Sequence, residues 1–156
     1  MRHVRPADIY EVLSAGLHFD AQTRAAITNR QPFSLWRFES IEDVAGIGTQ
    51  LPAELVGPDA GRVGAVHNLY EGWIWWLHSA HRKAIEHLRL HAELRAALQE
   101  GRVFPTRAII LGPAMQLHDG RHRMFALYEH LRGGAPMPQV EVFWNRGPDG
   151  STELLR

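Results

Sequence analysis

The chain has 156 residues, 45% of them hydrophobic, which is the size of one ordinary domain with a substantial core. Lys+Arg and Asp+Glu number 17 each, so no overall basic field draws it to nucleic acid or an anionic membrane, and any anion site must be local. The absence of cysteine excludes disulfides, thiolate zinc sites and thiol nucleophiles.

The opening "MRHVRPADIYEVL" lacks an apolar run of signal-peptide length, and no segment reaches the ~18–20 apolar residues that span a bilayer, so a cytoplasmic location is expected. Two short helices are predicted first, "PADIYEVLSAG" with Pro6 in its first turn and Gly16 as its stop, then "DAQTRAAITNR" capped by Asp20. "PFSLWRF" alternates as a strand with apolar residues on both faces, which suits a sheet covered by helices. Ser40-Ile41-Glu42-Asp43 reads as a capped helical turn. The Gly- and Pro-rich stretch from Ala45 to Gly64 reads as a loop.

Beyond it Leu69, Trp73, Trp76, Leu77, Ala80, Ala84, Leu88, Leu94 and Leu98 recur at steps of three and four, predicting one long helix or two with this face in the core, ended by Gly101. "TRAIIL" and "AMQLH", separated by Gly112-Pro113, form a strand, turn, strand pattern. A helical apolar run follows from Met124 to Leu131 and stops at Gly133-Gly134; "MPQVEVFW" is a last strand, and "TELLR" an edge strand or frayed end. Strands and helices mix without regular alternation, so the expected class is α+β.

The stretch Asp119-Gly120-Arg121-His122-Arg123 stands between the hairpin and the helix. Asp119 can cap the helix start, and Gly120 permits a sharp turn and close approach of a ligand to the backbone. Arg121 and Arg123 fall in the first helical turn, where the amides and the helix dipole already favour an anion. Two cations at that end are mildly unfavourable alone and point to an external anion such as phosphate, to which His122 adds a hydrogen bond or a proton. The alternative is an ordinary capped helix whose arginines pair with Asp119 or Glu129.

The order of helix, "TRAIIL", Gly-Pro turn, "AMQLHDGRHRMFALYEHL", Gly-Gly break and "PMPQVEVFW", over residues 84–144, resembles the ParB/sulfiredoxin superfamily. The resemblance implies a mixed sheet flanked by helices with a core at 33–144; the chain reads as a single domain spanning 1–156, whose helical extension at 1–31 has no counterpart in the superfamily. It also implies a nucleotide-phosphate pocket formed by Gly120, Arg121, His122 and Arg123. Sulfiredoxins use a cysteine at this turn, and here there is none; ParB partition proteins bind CTP but carry a DNA-reading domain that this length does not accommodate. Free serine kinases of the superfamily transfer a phosphoryl group to a small hydroxyl substrate.

A phosphotransferase of that kind would use Arg121 and Arg123 on the phosphates of ATP, ADP or CTP, Asp119 on Mg²⁺ or the acceptor, His122 for proton transfer, and Glu39 or Glu42 as general base. Alternative readings are a module that binds a nucleotide, DNA or a protein without catalysis, and a nuclease. An acid pointing into the pocket separates transfer from binding alone.

Ten histidines raise the question of a metal. His87 and His91 are four apart on the long helix, His78 and His81 three apart, and His118 and His122 bracket the motif; no glutamate follows His87 as a zincin motif requires. Of Trp73, Trp75 and Trp76, two are expected in the core, while an exposed Trp75 would be a contact for a base or a partner. The basic-leaning residues from His78 to Arg95 read as a solvated face. No phosphate loop, nucleophile elbow or dinucleotide fingerprint occurs.

Overall fold

A computed structural model describes residues 1–15, 21–50, 66–78, 85–102, 104, 109–112 and 115–145. Along these run β1 (Arg2–Ala7), α1 (Ile9–Ala15), α2 (Ala21–Thr28), β2 (Phe33–Arg37), α3 (Ile41–Ala45), β3 (Gly48–Gln50) and β4 (Val66–Asn68). After them come α4 (Leu69–His78), α5 (Ile85–Gln99), β5 (Ile110–Gly112), β6 (Gln116–Asp119), α6 (Arg121–Arg132) and β7 (Glu141–Asn145). The described strands form one mixed sheet in the order β1-β2-β7-β5-β6-β3-β4. β5 runs parallel to β7 and antiparallel to β6, and β3 joins β6 through one parallel pair, Gly48 with Gln116. The class is α+β.

Alternation along the strands divides the core in two. Phe33, Ile110 and Phe143 point to one face, where Val12 of α1 and Ala26 and Ile27 of α2 cover them. Trp36, Leu111, Val142 and Trp144 point to the other, against residues of α3, α4, α5 and α6. The Trp36 and Trp144 rings meet edge to face at 5.1 Å. α6 lies at the centre of this layer: Met124 through Tyr128 are all buried, a run that leaves no solvent face on its middle turn.

The N-terminal region is corrected. Pro6 lies in β1, not in the first turn of a helix, and β1 is an edge strand where a missing amide is tolerated. α1 starts later, with Asp8 accepting the Tyr10 amide at 2.7 Å. Residues 1–31 are therefore not wholly helical, because β1 extends the sheet beside β2. Gly16 and Asp20 lie outside the described residues, as do Leu51 to Gly64, Thr106 to Ala108 and the final "TELLR". Within the expected loop, Gly48–Gln50 forms β3.

The long apolar pattern is two helices, α4 and α5, and Ala80 and Ala84 fall among the undescribed residues between them. Trp76, Leu94 and Leu98 are core, whereas Leu77 and Leu88 are exposed. Leu77 lies in the last turn of α4 and Leu88 in the first turn of α5. α3 carries the full capping box, with the Ser40 side chain accepting the Asp43 amide and Asp43 accepting the Ser40 amide. Among the described residues no helix is long and apolar enough to cross a membrane.

Candidate phosphate pocket

The hairpin β5-β6 ends at Asp119, and the chain turns into α6 through Gly120. Gly120 has φ 94° and ψ 25°, a left-handed conformation that a Cβ would strain, and it is the N-cap residue of α6. Asp119 does not cap α6. Its Oδ1 accepts the Gly120 amide at 2.8 Å and so fixes the turn, and no side chain caps the helix. Intrahelical bonding starts with the Met124 amide on the Gly120 carbonyl, at 2.9 Å, so the amides of Arg121, His122 and Arg123 have no acceptor within the helix.

This helix end opens on a cavity of about 350 Å³ lined by Leu117 to Arg123 and by Leu90 of α5. All five motif residues line it. Arg123 is half-buried; its Nε is shut off from solvent and meets no hydrogen-bond acceptor, and no ion pair to its guanidinium occurs among the described residues. A guanidinium held without an acceptor is costly, and an anion in the cavity would supply one.

Glu39 and Glu42 are not brought to the pocket. Glu39 is exposed beside Arg2 and the Met1 ammonium, and Glu42 is exposed in the first turn of α3. Three strand spacings, about 14 Å, separate β2 from β6. The carboxylate that does line the cavity is Asp119. Glu129 does not pair with the motif arginines either. It lies further along α6, where its Oε2 meets His91 Nε2 at 2.9 Å and Arg95 Nε at 3.2 Å, and its Oε1 accepts Trp73 Nε1–H at 2.7 Å. Burial pushes the Glu129 carboxyl up, but the hydrogen bonds from His91 and Trp73 and the charges of His91 and Arg95 outweigh it and hold the group below the usual glutamate range.

His87 and His91, four apart on α5, differ in environment. His91 turns inward, 8% exposed, with its ring 4.2 Å from that of Trp76. His87 stays exposed, and its ring lies 4.9 Å from His122. His118 lines the cavity with His122, and its Nδ1 and the Thr23 hydroxyl of α2 are 3.2 Å apart. A side chain at Gly112 would overlap the His118 ring. Among the described residues no three His, Asp or Glu side chains are grouped to hold a metal ion; His81 lies outside them.

Trp76 is core, while Trp73 and Trp75 are half-buried, Trp73 being tied to Glu129. Leu90, which lines the cavity, had no signal at the motif itself, and only the packing of α5 on α6 brings it there. Comparison of the chain with family models, with curated proteins and with solved structures finds no match.

Proposed function

We propose that the chain is a ParB/sulfiredoxin-like module that binds the phosphate of a nucleotide or another phosphorylated small molecule at Gly120–Arg123. The observation that carries this reading is Arg123, whose buried Nε lacks an acceptor at the wall of a cavity onto which an uncapped helix start opens. First-turn amides, a helix dipole and an arginine fork are together a phosphate receptor. The cavity volume is at the lower end of small-ligand pockets, which favours a small phosphorylated ligand over a polymer. The balanced net charge also speaks against a nucleic-acid backbone as ligand.

Binding without phosphoryl transfer is the preferred form of the reading, because neither Glu39 nor Glu42 lines the pocket. A phosphotransferase would have to use Asp119, which already spends one oxygen on the Gly120 amide. Mg²⁺ enters only as the companion of the nucleotide's phosphates. The test is thermal unfolding of the purified protein with ATP, ADP, CTP, GTP and pyrophosphate, each with and without Mg²⁺. Stabilisation by one of these, lost in Arg123→Ala, supports the site. No shift with any of them refutes it.

A further inference from the structure

We propose that Tyr70 and Trp73 of α4, backed by Tyr128 of α6, form an aromatic cup for a weakly hydrated organic cation, a methylated ammonium or a guanidinium, and that Arg132 is the internal occupant which such a ligand displaces. The inference does not depend on the phosphate-binding reading, because Arg132 stands at the far end of α6 from Arg123, about 13 Å along the helix axis.

The cup follows from how α4 meets α6. Tyr70 and Trp73 are three apart and so share one side of α4, while Tyr128 and Arg132 are four apart on one side of α6. The Tyr70 and Trp73 ring centroids are 6.1 Å apart with their planes inclined at 48°. Buried Tyr128 meets the two edge to face, at 6.2 Å from Tyr70 and 5.4 Å from Trp73. The Arg132 guanidinium carbon lies over both the Tyr70 and the Trp73 ring, 5.1 Å from each centroid.

A cation in this place is held by ring faces and not by a carboxylate. Among the described residues Arg132 makes no ion pair; its polar neighbours are tyrosine hydroxyls, with Nη1 at 3.5 Å from Tyr128 Oη. Ring faces favour cations that shed water readily, so a guanidinium or a methylated ammonium gains more there than a strongly hydrated ammonium does. Glu129 strengthens the Trp73 face. Its Oε1 accepts Trp73 Nε1–H at 2.7 Å, which draws electron density into the indole and also fixes the ring's position.

The occupant is exchangeable because the rim is open. Arg132 is exposed in the last turn of α6, Tyr70 is 39% exposed and Trp73 is half-buried. Rings that only packed the core would be closed to solvent, whereas Tyr, Trp and Arg at an open rim are the residue types that dominate recognition surfaces. An external cation must compete with Arg132, so its apparent affinity is lowered by the fraction of molecules in which the guanidinium fills the cup. Removing Arg132 lifts that competition and leaves the ring faces in place.

The experiment titrates the full, isotope-labelled chain with tetramethylammonium and with methylguanidinium at constant ionic strength, with methylammonium as the strongly hydrated control. The Trp73 indole N–H resonance, assigned through Trp73→Phe, is followed by nuclear magnetic resonance. The wild type is expected to show saturable shifts with millimolar affinity for the first two cations and much weaker binding of the third. Arg132→Ala should bind both about tenfold tighter, Arg132→Lys should fall between, and Tyr70→Leu should lose most of the binding. Choline and the N-acetyl amide of trimethyllysine carry the same head on a small molecule and on a side chain, and the tighter of the two identifies the source. An indole resonance that does not move in the wild type, an affinity no higher in Arg132→Ala, or binding kept in Tyr70→Leu overturns the proposal, since Arg132 would then be only a clamp between α4 and α6. Both substituted residues are exposed, so the variants are expected to fold, which circular dichroism checks; if Arg132→Ala does not, the wild type and Tyr70→Leu decide the matter.

Discussion

Arg123→Met separates binding from folding more sharply than truncation to alanine does. Methionine keeps most of the apolar stem and removes the charge and the donor whose Nε is buried without an acceptor. A buried donor left unsatisfied costs about 1–3 kcal/mol, and because Arg123 is only half-buried the lower end applies, about 1 kcal/mol. For a domain of this length that is a rise in melting temperature of about 2–4 °C. The same replacement takes charge-assisted hydrogen bonds from a bound phosphate, worth about 1.5–3 kcal/mol, or a loss of roughly tenfold to a hundredfold in affinity. Scanning calorimetry without ligand and calorimetric titration with the nucleotide that stabilises the wild type measure the two quantities. A variant that melts lower and still binds would show that Arg123 is a packing residue, and the central observation for the site would be lost. Arg123→Lys keeps the charge without the fork and should fall between the two.

Gly120→Ala should lower the melting temperature without ligand by about 2–8 °C, since a φ of 94° costs a residue with a Cβ about 1–2 kcal/mol; an unchanged melting temperature would mean that the turn relaxes freely. Gly112→Ala should displace the His118 ring, because the β5 backbone is held by Trp144 Nε1–H on its carbonyl at 3.0 Å and by strands on both sides; a cost of about 1–3 kcal/mol in urea unfolding and weaker nucleotide binding are expected, and neither would follow if the ring swung aside without consequence. Glu129→Gln should destabilise at neutral pH by about 1–3 kcal/mol. Because the Glu129 carboxyl is held below its usual range in the folded state, its contribution is full above the unfolded value of about 4.3 and is lost as pH falls through the lower folded value. The gap between wild type and variant should therefore close in acid, and a gap that persists at about pH 2 would show that the network acts through packing.

Local signals were legible and non-local ones were not. The alternation of β2, the Ser40–Asp43 box, the hairpin over Gly112, and the α6 run from Met124 to Leu131 each depend on residues close in the chain. β1 was missed because five of its six residues are exposed, so no apolar alternation marks it, and Pro6 imitates a helix start. β3 and β4 have three residues each, too few to show a period. The placement of Glu39 beside the motif failed for a topological reason. The end of β2 and the end of β6 do lie toward the same side of the sheet, but β7, the last strand in sequence, inserts with β5 between them. Nothing in the local pattern of β7 announces a central position. The motif itself was legible because turn, helix start and charge are all encoded within five residues, whereas its walls come from α5 and β6 through contacts that only packing creates.

The division along α6 separates the proposed site from the core. Residues 121–123 are half-exposed at its start, residues 124–128 are buried, and Glu129 ties the next turn to α4 and α5 through Trp73, His91 and Arg95. The first-turn amides are therefore aimed by a helix whose middle is fixed on all sides and whose later turn is anchored by hydrogen bonds, and a ligand there meets donors that need no reorganisation. Substitutions from Met124 inward must act through stability, because those side chains touch only the core. If the proposed site binds an anion, substitutions at Arg121, His122 and Arg123 would alter its choice while the helix that aims them stays in place. The boundary falls between Arg123 and Met124, where the half-buried guanidinium adjoins a side chain with no exposed surface, and a series of variants across it should change from altered affinity with a melting temperature kept or raised to a lowered melting temperature at constant affinity per folded molecule.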